Sequence, residues 1–115
     1  MNGMETVKGP TGYPSVDKPW LTHYPRQAMD EPLPECNMYE YMLQNNQEHI
    51  QNYALNFYGT KLTYQQLVDL IERTARAFLN LKVQAGETVS LVMLSCIPSV
   101  VCMYALNRIG AVTNK

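Results

Sequence analysis

The stretch from Lys61 to Asn114 constrains the fold most, because it reads as an amphipathic helix, a buried strand, a second helix and the opening of another strand. Thr63 is placed to cap the first helix, with Gln66 at the reciprocal position of a capping box. Tyr64, Leu67, Val68, Ile71, Ala75, Phe78 and Leu79 fall on one face of that helix, and Gln65, Asp69, Glu72, Arg73, Arg76 and Asn80 fall opposite. Acid precedes base four residues on at Asp69 to Arg73 and at Glu72 to Arg76. These charges read as a solvated face with weak i,i+4 pairs, not as catalytic groups. A turn over Val83–Glu87, centred on Gly86, leads into Thr88–Leu94, a nearly continuous apolar run of the kind a strand covered on both faces requires. Pro98 suits the first turn of the next helix, predicted to run to about Asn107 or Arg108. With Val100, Val101, Met103, Tyr104 and Leu106 that helix is apolar nearly all round, which predicts deep packing. Arg108 complements its dipole, Gly110 supplies a left-handed stop, and Ala111–Thr113 opens a second strand, parallel to the first across a right-handed crossover.

This is an α/β pattern, and its ligand site normally comes from loops at the carboxyl ends of several parallel strands. Only the first such loop is encoded here. The reading is therefore the front end of a larger enzyme domain, whose missing remainder is its main partner and whose exposed sheet edge favours self-association.

Composition narrows the function further. The 115 residues carry a net charge of −1 with lysines and arginines scattered singly, which excludes the basic stripe needed to track nucleic acid. The apolar stretch Val89–Met103 is interrupted by Ser90, Ser95, Pro98 and Ser99 and is shorter than the roughly 20 residues of a membrane helix. Residues 1–12 lack the apolar core of a signal peptide, so no transmembrane segment and a cytoplasmic location are predicted. Cys36, Cys96 and Cys102 are an odd number in no metal-ligand spacing and read as reduced structural thiols.

Residues 1–36 hold six of the seven prolines and show no hydrophobic period, which predicts an irregular, mostly extended arm. Trp20, Leu21, Tyr24 and Leu33 along it could press large side chains onto a folded body. From Asn37 a helix begins, capped by Asn37 with Glu40 in a capping box, with Met38, Tyr41 and Met42 following at helical spacing and an end near Gln51. Tyr53–Tyr58 is a strand candidate, and Gly59 with Thr60 forms the turn into a short strand, Lys61–Thr63. No residue is assigned a catalytic, cofactor-binding or metal-binding role. His23 and His49 have no second ligand at a metal spacing. Gly9-Pro10-Thr11-Gly12 lacks the flanking strand and lysine of a phosphate loop. Tyr41, Tyr64 and Tyr104 read as core-facing and not as a stacking platform.

Taken together, Leu62-Thr63-Tyr64, the helix with Ala75, Ala77, Phe78 and Leu79, the turn and strand Val83-x-x-Gly86-Glu87-x-Val89, the Pro98 helix and Asn107-Arg108-x-Gly110-Ala111-Val112-x-Asn114 resemble the amino-terminal region of the adenylate-forming enzymes. The resemblance covers about Met38 to Asn114. The arm Asp17-Lys18-Pro19-Trp20-Leu21 leading to Pro34-Glu35-Cys36 looks most like bacterial long-chain fatty acid CoA ligases. Two positions depart from the family pattern: Lys82 stands where a glycine is usual, and Ser95-Cys96-Ile97-Pro98 replaces a Pro-Asn-x-Pro turn. The resemblance implies activation of a carboxylic acid by ATP with Mg2+ to an acyl-adenylate, then transfer of the acyl group to coenzyme A. It also implies that the phosphate loop with its lysine, the magnesium-binding glutamate, the ribose-binding aspartate and the carboxy-terminal lysine belong to segments without a counterpart here, so that the chain alone is inactive. Two alternatives stay open: part of a peptide-synthetase adenylation domain, and a small non-catalytic interaction module.

Overall fold

A computed structural model describes residues 9–115, which divide into two compact units at Leu33/Pro34. In the first unit the arm departs from the expected extended chain. It forms a helical turn α1 (Pro14–Asp17), a 3-10 turn (Pro19–His23) and a short helix α2 (Arg26–Asp30). Proline explains the first two, since each begins with Pro in the first turn, where the missing N–H is no loss and φ is already set. Trp20, Leu21, Tyr24 and Leu33 are exposed. The first eight residues of the expected arm lie outside the described residues.

The second unit begins with α3 (Met38–Asn46), continued by a 3-10 turn (Gln47–His49). Its capping box is complete: the Glu40 N–H donates to Asn37 Oδ1 at 2.8 Å and the Asn37 N–H donates to Glu40 Oε2 at 3.3 Å. The expected apolar face of α3 is displaced. Tyr39 is buried with Met42 and Leu43 packed beside it, whereas Met38 and Tyr41 are half exposed. Apolar residues occur all round this helix, so spacing alone picks no face, and the packing of α5 selects the row Tyr39, Met42, Leu43.

Strands β1 (Tyr53–Phe57) and β2 (Thr60–Thr63) pair antiparallel, with a register shift between Tyr53 and Leu55. The turn residues are Tyr58 and Gly59, one position earlier than expected. Phe57 pairs with Thr60, and both intervening residues have positive φ, 49° and 89°, as a two-residue hairpin loop twisted to match its strands requires. α4 (Tyr64–Asn80) then starts on the predicted Thr63–Gln66 capping box. Leu67, Ile71 and Ala75 are its buried line, with Leu70 and Phe78 beside them, and Leu79 is exposed.

Strand β3 (Thr88–Ser90) pairs parallel with β4 (Val112–Asn114) across α5 (Ile97–Arg108), the expected β-α-β unit. The strand predicted to reach Leu94 stops at Ser90. Its partner offers pairing only to Thr88–Ser90, with one further bond from the Leu91 N–H to the Asn114 carbonyl at 2.8 Å. Beyond that bond no strand among the described residues holds the backbone extended, and Val92 and Leu94 are 96% and 85% exposed. α5 packs on both α3 and α4 and buries Ser99, Val101, Ala105 and Leu106, in keeping with its apolar sequence.

α4 and α5 end in the same device with different residues. In each, two backbone bonds close a left-handed terminator: Val83 N–H to Phe78 carbonyl with Lys82 N–H to Leu79 carbonyl, and Ala111 N–H to Leu106 carbonyl with Gly110 N–H to Asn107 carbonyl. The terminator residue is Gly110 at φ 80° in one and Lys82 at φ 67° in the other. Gly110 has a second reason to lack a side chain, because a Cβ there would lie 3.2 Å from the Cβ of Ala85. Exposed Lys82 has only the backbone strain, which glycine relieves. Lys82→Gly is expected to raise unfolding stability by about 0.5–1 kcal/mol after allowing for the greater freedom of glycine in the unfolded chain, measured as a higher urea midpoint at unchanged slope.

Candidate functional site

The polar cluster with the longest sequence reach in the second unit joins α3, α4 and α5. Tyr39 is buried, and its hydroxyl donates to Glu72 Oε1 at 2.6 Å. Arg108 Nε donates to the same oxygen at 3.2 Å, and its guanidinium carbon lies 5.8 Å from the centre of the Tyr39 ring. The Tyr39 N–H, one of the unpaired donors of the first turn of α3, donates to Asn107 Oδ1 at 3.0 Å. Burial and the neighbouring Glu72 carboxylate push the Tyr39 phenol up to about 12, while the Tyr39 hydroxyl and then Arg108 hold Glu72 below its usual range against the opposing effect of burial. At neutral pH the phenol keeps its proton and the carboxylate keeps its charge. The cluster thus clasps three helices together through a charge-assisted hydrogen bond and an ion pair.

Glu72 is thus paired across the fold. Among the described residues the ion pair formed is Arg108–Glu72, and neither expected i,i+4 pair is made; Asp69 instead accepts from Gln65 Nε2 at 3.0 Å. Asn107 and Arg108 were visible in sequence as a helix end, but nothing local linked them to Tyr39 or Glu72. Tyr64 and Tyr104 are half-buried and Tyr104 packs on the core, whereas Tyr41 is half exposed, contrary to expectation.

Two connecting segments can be compared with a phosphate-binding loop. In the loop Gly9-Pro10-Thr11-Gly12, the Thr11 N–H and hydroxyl and the Gly12 N–H all donate to the carboxylate of Asp17, at 2.9, 2.8 and 2.9 Å. Those bonds, the Thr11 N–H foremost, hold the Asp17 carboxyl below its usual range. The donors that a phosphate would need are already occupied. The connection from β3 to α5, Leu91 to Cys96, has no glycine with which to bring backbone close to a phosphate. His23 and His49 are exposed at the ends of 3-10 turns, and among the described residues no group of three His, Cys, Asp or Glu could hold a metal ion. Cys36, Cys96 and Cys102 are free and half-buried, and burial pushes the Cys102 thiol up. Among the described residues no helix is long and apolar enough to cross a membrane.

With that geometry in view, the family model described as AMP-binding enzyme matches residues 43–114, spanning α3 to β4. The chain belongs to the AMP-binding enzyme family. A long-chain-fatty-acid–CoA ligase of Bacillus subtilis (strain 168) is 29% identical over 97 residues, covering 83% of this chain and 17% of the relative. Among solved structures, a benzoate CoA ligase from Burkholderia xenovorans LB400 superposes with a TM-score of 0.64 at 26% identity, over 67% of this chain and 16% of that one. The Klebsiella oxytoca NpsA N-terminal subdomain, in complex with anthranilyl-AMSN, does so with a TM-score of 0.65 at 24% identity, over 68% and 20%. The chain therefore spans a fifth or less of each of these relatives. The β-α-β unit and the helices packed on it are the amino-terminal architecture of adenylate-forming enzymes, as the sequence predicted.

Proposed function

We propose that this chain forms the opening part of a cytoplasmic, ATP-dependent, AMP-forming acyl-CoA synthetase that activates a fatty acid as its coenzyme A thioester. The observation that carries the reading is the similarity to the Bacillus subtilis ligase over 83% of the chain. The likeness to NpsA, at 24% identity, speaks for the fold and leaves the peptide-synthetase alternative without support of its own.

In this proposal the chain's contribution is structural. Its β-α-β unit and its three-helix clasp make the wall against which later segments build the site for ATP, Mg2+, coenzyme A and the acid. The loop held by Asp17 and the glycine-free β3–α5 connection, neither of which has the open backbone donors of a phosphate loop, support this reading. The test has two arms. The chain alone, given ATP, Mg2+, coenzyme A and fatty acids, is expected to release no pyrophosphate. The Bacillus subtilis ligase, with its matched 97-residue segment replaced by this one, is expected to retain acyl-CoA formation with long-chain acids. Turnover by the chain alone would overturn the structural role. A folded chimera that forms no acyl-CoA with any fatty acid tried would overturn the equivalence of the two segments on which the reading rests.

A further inference from the structure

We infer that α3 is a strap that comes away from the rest of the unit Pro34–Lys115 while α4, α5 and the strands stay folded, released at Tyr39 and turning about the break at Asn46. Among the described residues, the hydrogen bonds that join α3 to other helices both come from Tyr39, its hydroxyl to Glu72 on α4 and its N–H to Asn107 on α5. The cap and the closing side chains of α3 bond within residues 37–46: Asn37 pairs with Glu40, and Asn45 Nδ2 and Asn46 Nδ2 donate to the carbonyls of Tyr41 and Met42, each at 2.8 Å. Release therefore breaks two hydrogen bonds, both at one residue.

The other end of α3 has the geometry of a hinge. Asn46 leaves helical geometry at φ −121° and ψ 9°, and the chain tightens into the 3-10 turn Gln47–His49. Immediately beyond, it is fixed to the start of α4. The Gln65 N–H donates to the Ile50 carbonyl at 2.9 Å and the Tyr64 N–H to the Asn52 carbonyl at 3.0 Å, which occupies two donors that the first turn of a helix leaves open. The clasp at Tyr39 and the anchor at Ile50 thus enclose the segment able to move. Tyr39 is the buried residue of α3, with Met42 and Leu43 partly buried beside it, so the closed state is the populated one. Once released, a helix of nine residues does not persist in water, and it unravels. The Leu106 cluster contains no residue of α3 and stays packed.

The test is native-state amide hydrogen exchange of the whole chain, read residue by residue by NMR under conditions where exchange reports the opening equilibrium. The amides of residues 42–46 are expected to exchange together, with protection about tenfold or more below that of the slowest amides of α4 and α5. Glu72→Gln, which keeps an acceptor but removes its charge, is expected to speed the α3 amides by roughly tenfold. Leu106→Val, outside the strap, separates local release from a general loosening. It is expected to speed the slowest α4 and α5 amides by roughly fivefold and to leave those of α3 unchanged. Equal protection in the three helices overturns the proposal, and so does an α3 that follows Leu106→Val or does not respond to Glu72→Gln.

Discussion

Leu106→Ala is expected to lower the stability of the unit Pro34–Lys115 by about 2–5 kcal/mol, against the roughly 5–15 kcal/mol of a typical whole domain. Leu106 has no exposed surface and fills the space between α5 and the parallel pair, packed with Leu91 and Ala111 and flanked by Phe78, Val83 and Val89. Those neighbours come from both strand ends and from the close of α4. They cannot collapse together into the vacated volume, which places the cost towards the upper part of the range. The control is Leu79→Ala, half exposed on α4, expected to change stability by no more than about 0.5 kcal/mol. Urea unfolding of the two variants measures the contrast, and equal shifts would show that the core does not lie where Leu106 places it.

The clasp has the second largest effect. Glu72→Ala is expected to cost about 1.5–3 kcal/mol, because it leaves the buried Tyr39 hydroxyl without its charged acceptor. Arg108→Ala should cost only about 0–1 kcal/mol, since that side chain is 46% exposed and water screens its pair. The clasp also gives stability a defined pH response. Tyr39 has a folded pKa of about 12 against an ordinary 10.0, so the two states bind protons equally at pH 7. From about pH 10 the unfolded chain releases this proton while the folded chain keeps it, and stability falls until about pH 12, by about 2–3 kcal/mol at most. On the acid side Glu72 works in the opposite direction. Its lowered pKa makes a contribution that is complete above the ordinary 4.5 and is lost as the pH falls through the folded value. Tyr39→Phe should flatten the alkaline fall, measured by denaturant unfolding at steps from about pH 8 to pH 12. A variant that keeps the full alkaline loss would place its origin in other tyrosines.

Local signals determined a large part of this protein. Both capping boxes, the buried line Leu67, Ile71 and Ala75, the Pro98 start and the Gly110 stop of α5 rest on groups no more than a few residues apart along the chain. Such groups meet as soon as a helix forms, whatever surrounds it. The order of those elements was also enough to resemble the family to which the chain belongs. Tertiary structure decided what depends on a distant partner. The buried side of α3 is set by α5, because its own apolar residues favour no direction. β3 spans Thr88–Ser90, the residues that pair with β4, and the apolar run that continues to Leu94 does not by itself make a strand. Glu72 looks like half of a helix-surface pair in sequence, yet it binds Tyr39 and Arg108, 33 and 36 residues away. A carboxylate on a half-buried helix face takes whichever donors the packing brings to it, and residue spacing along one helix carries no information about the other two.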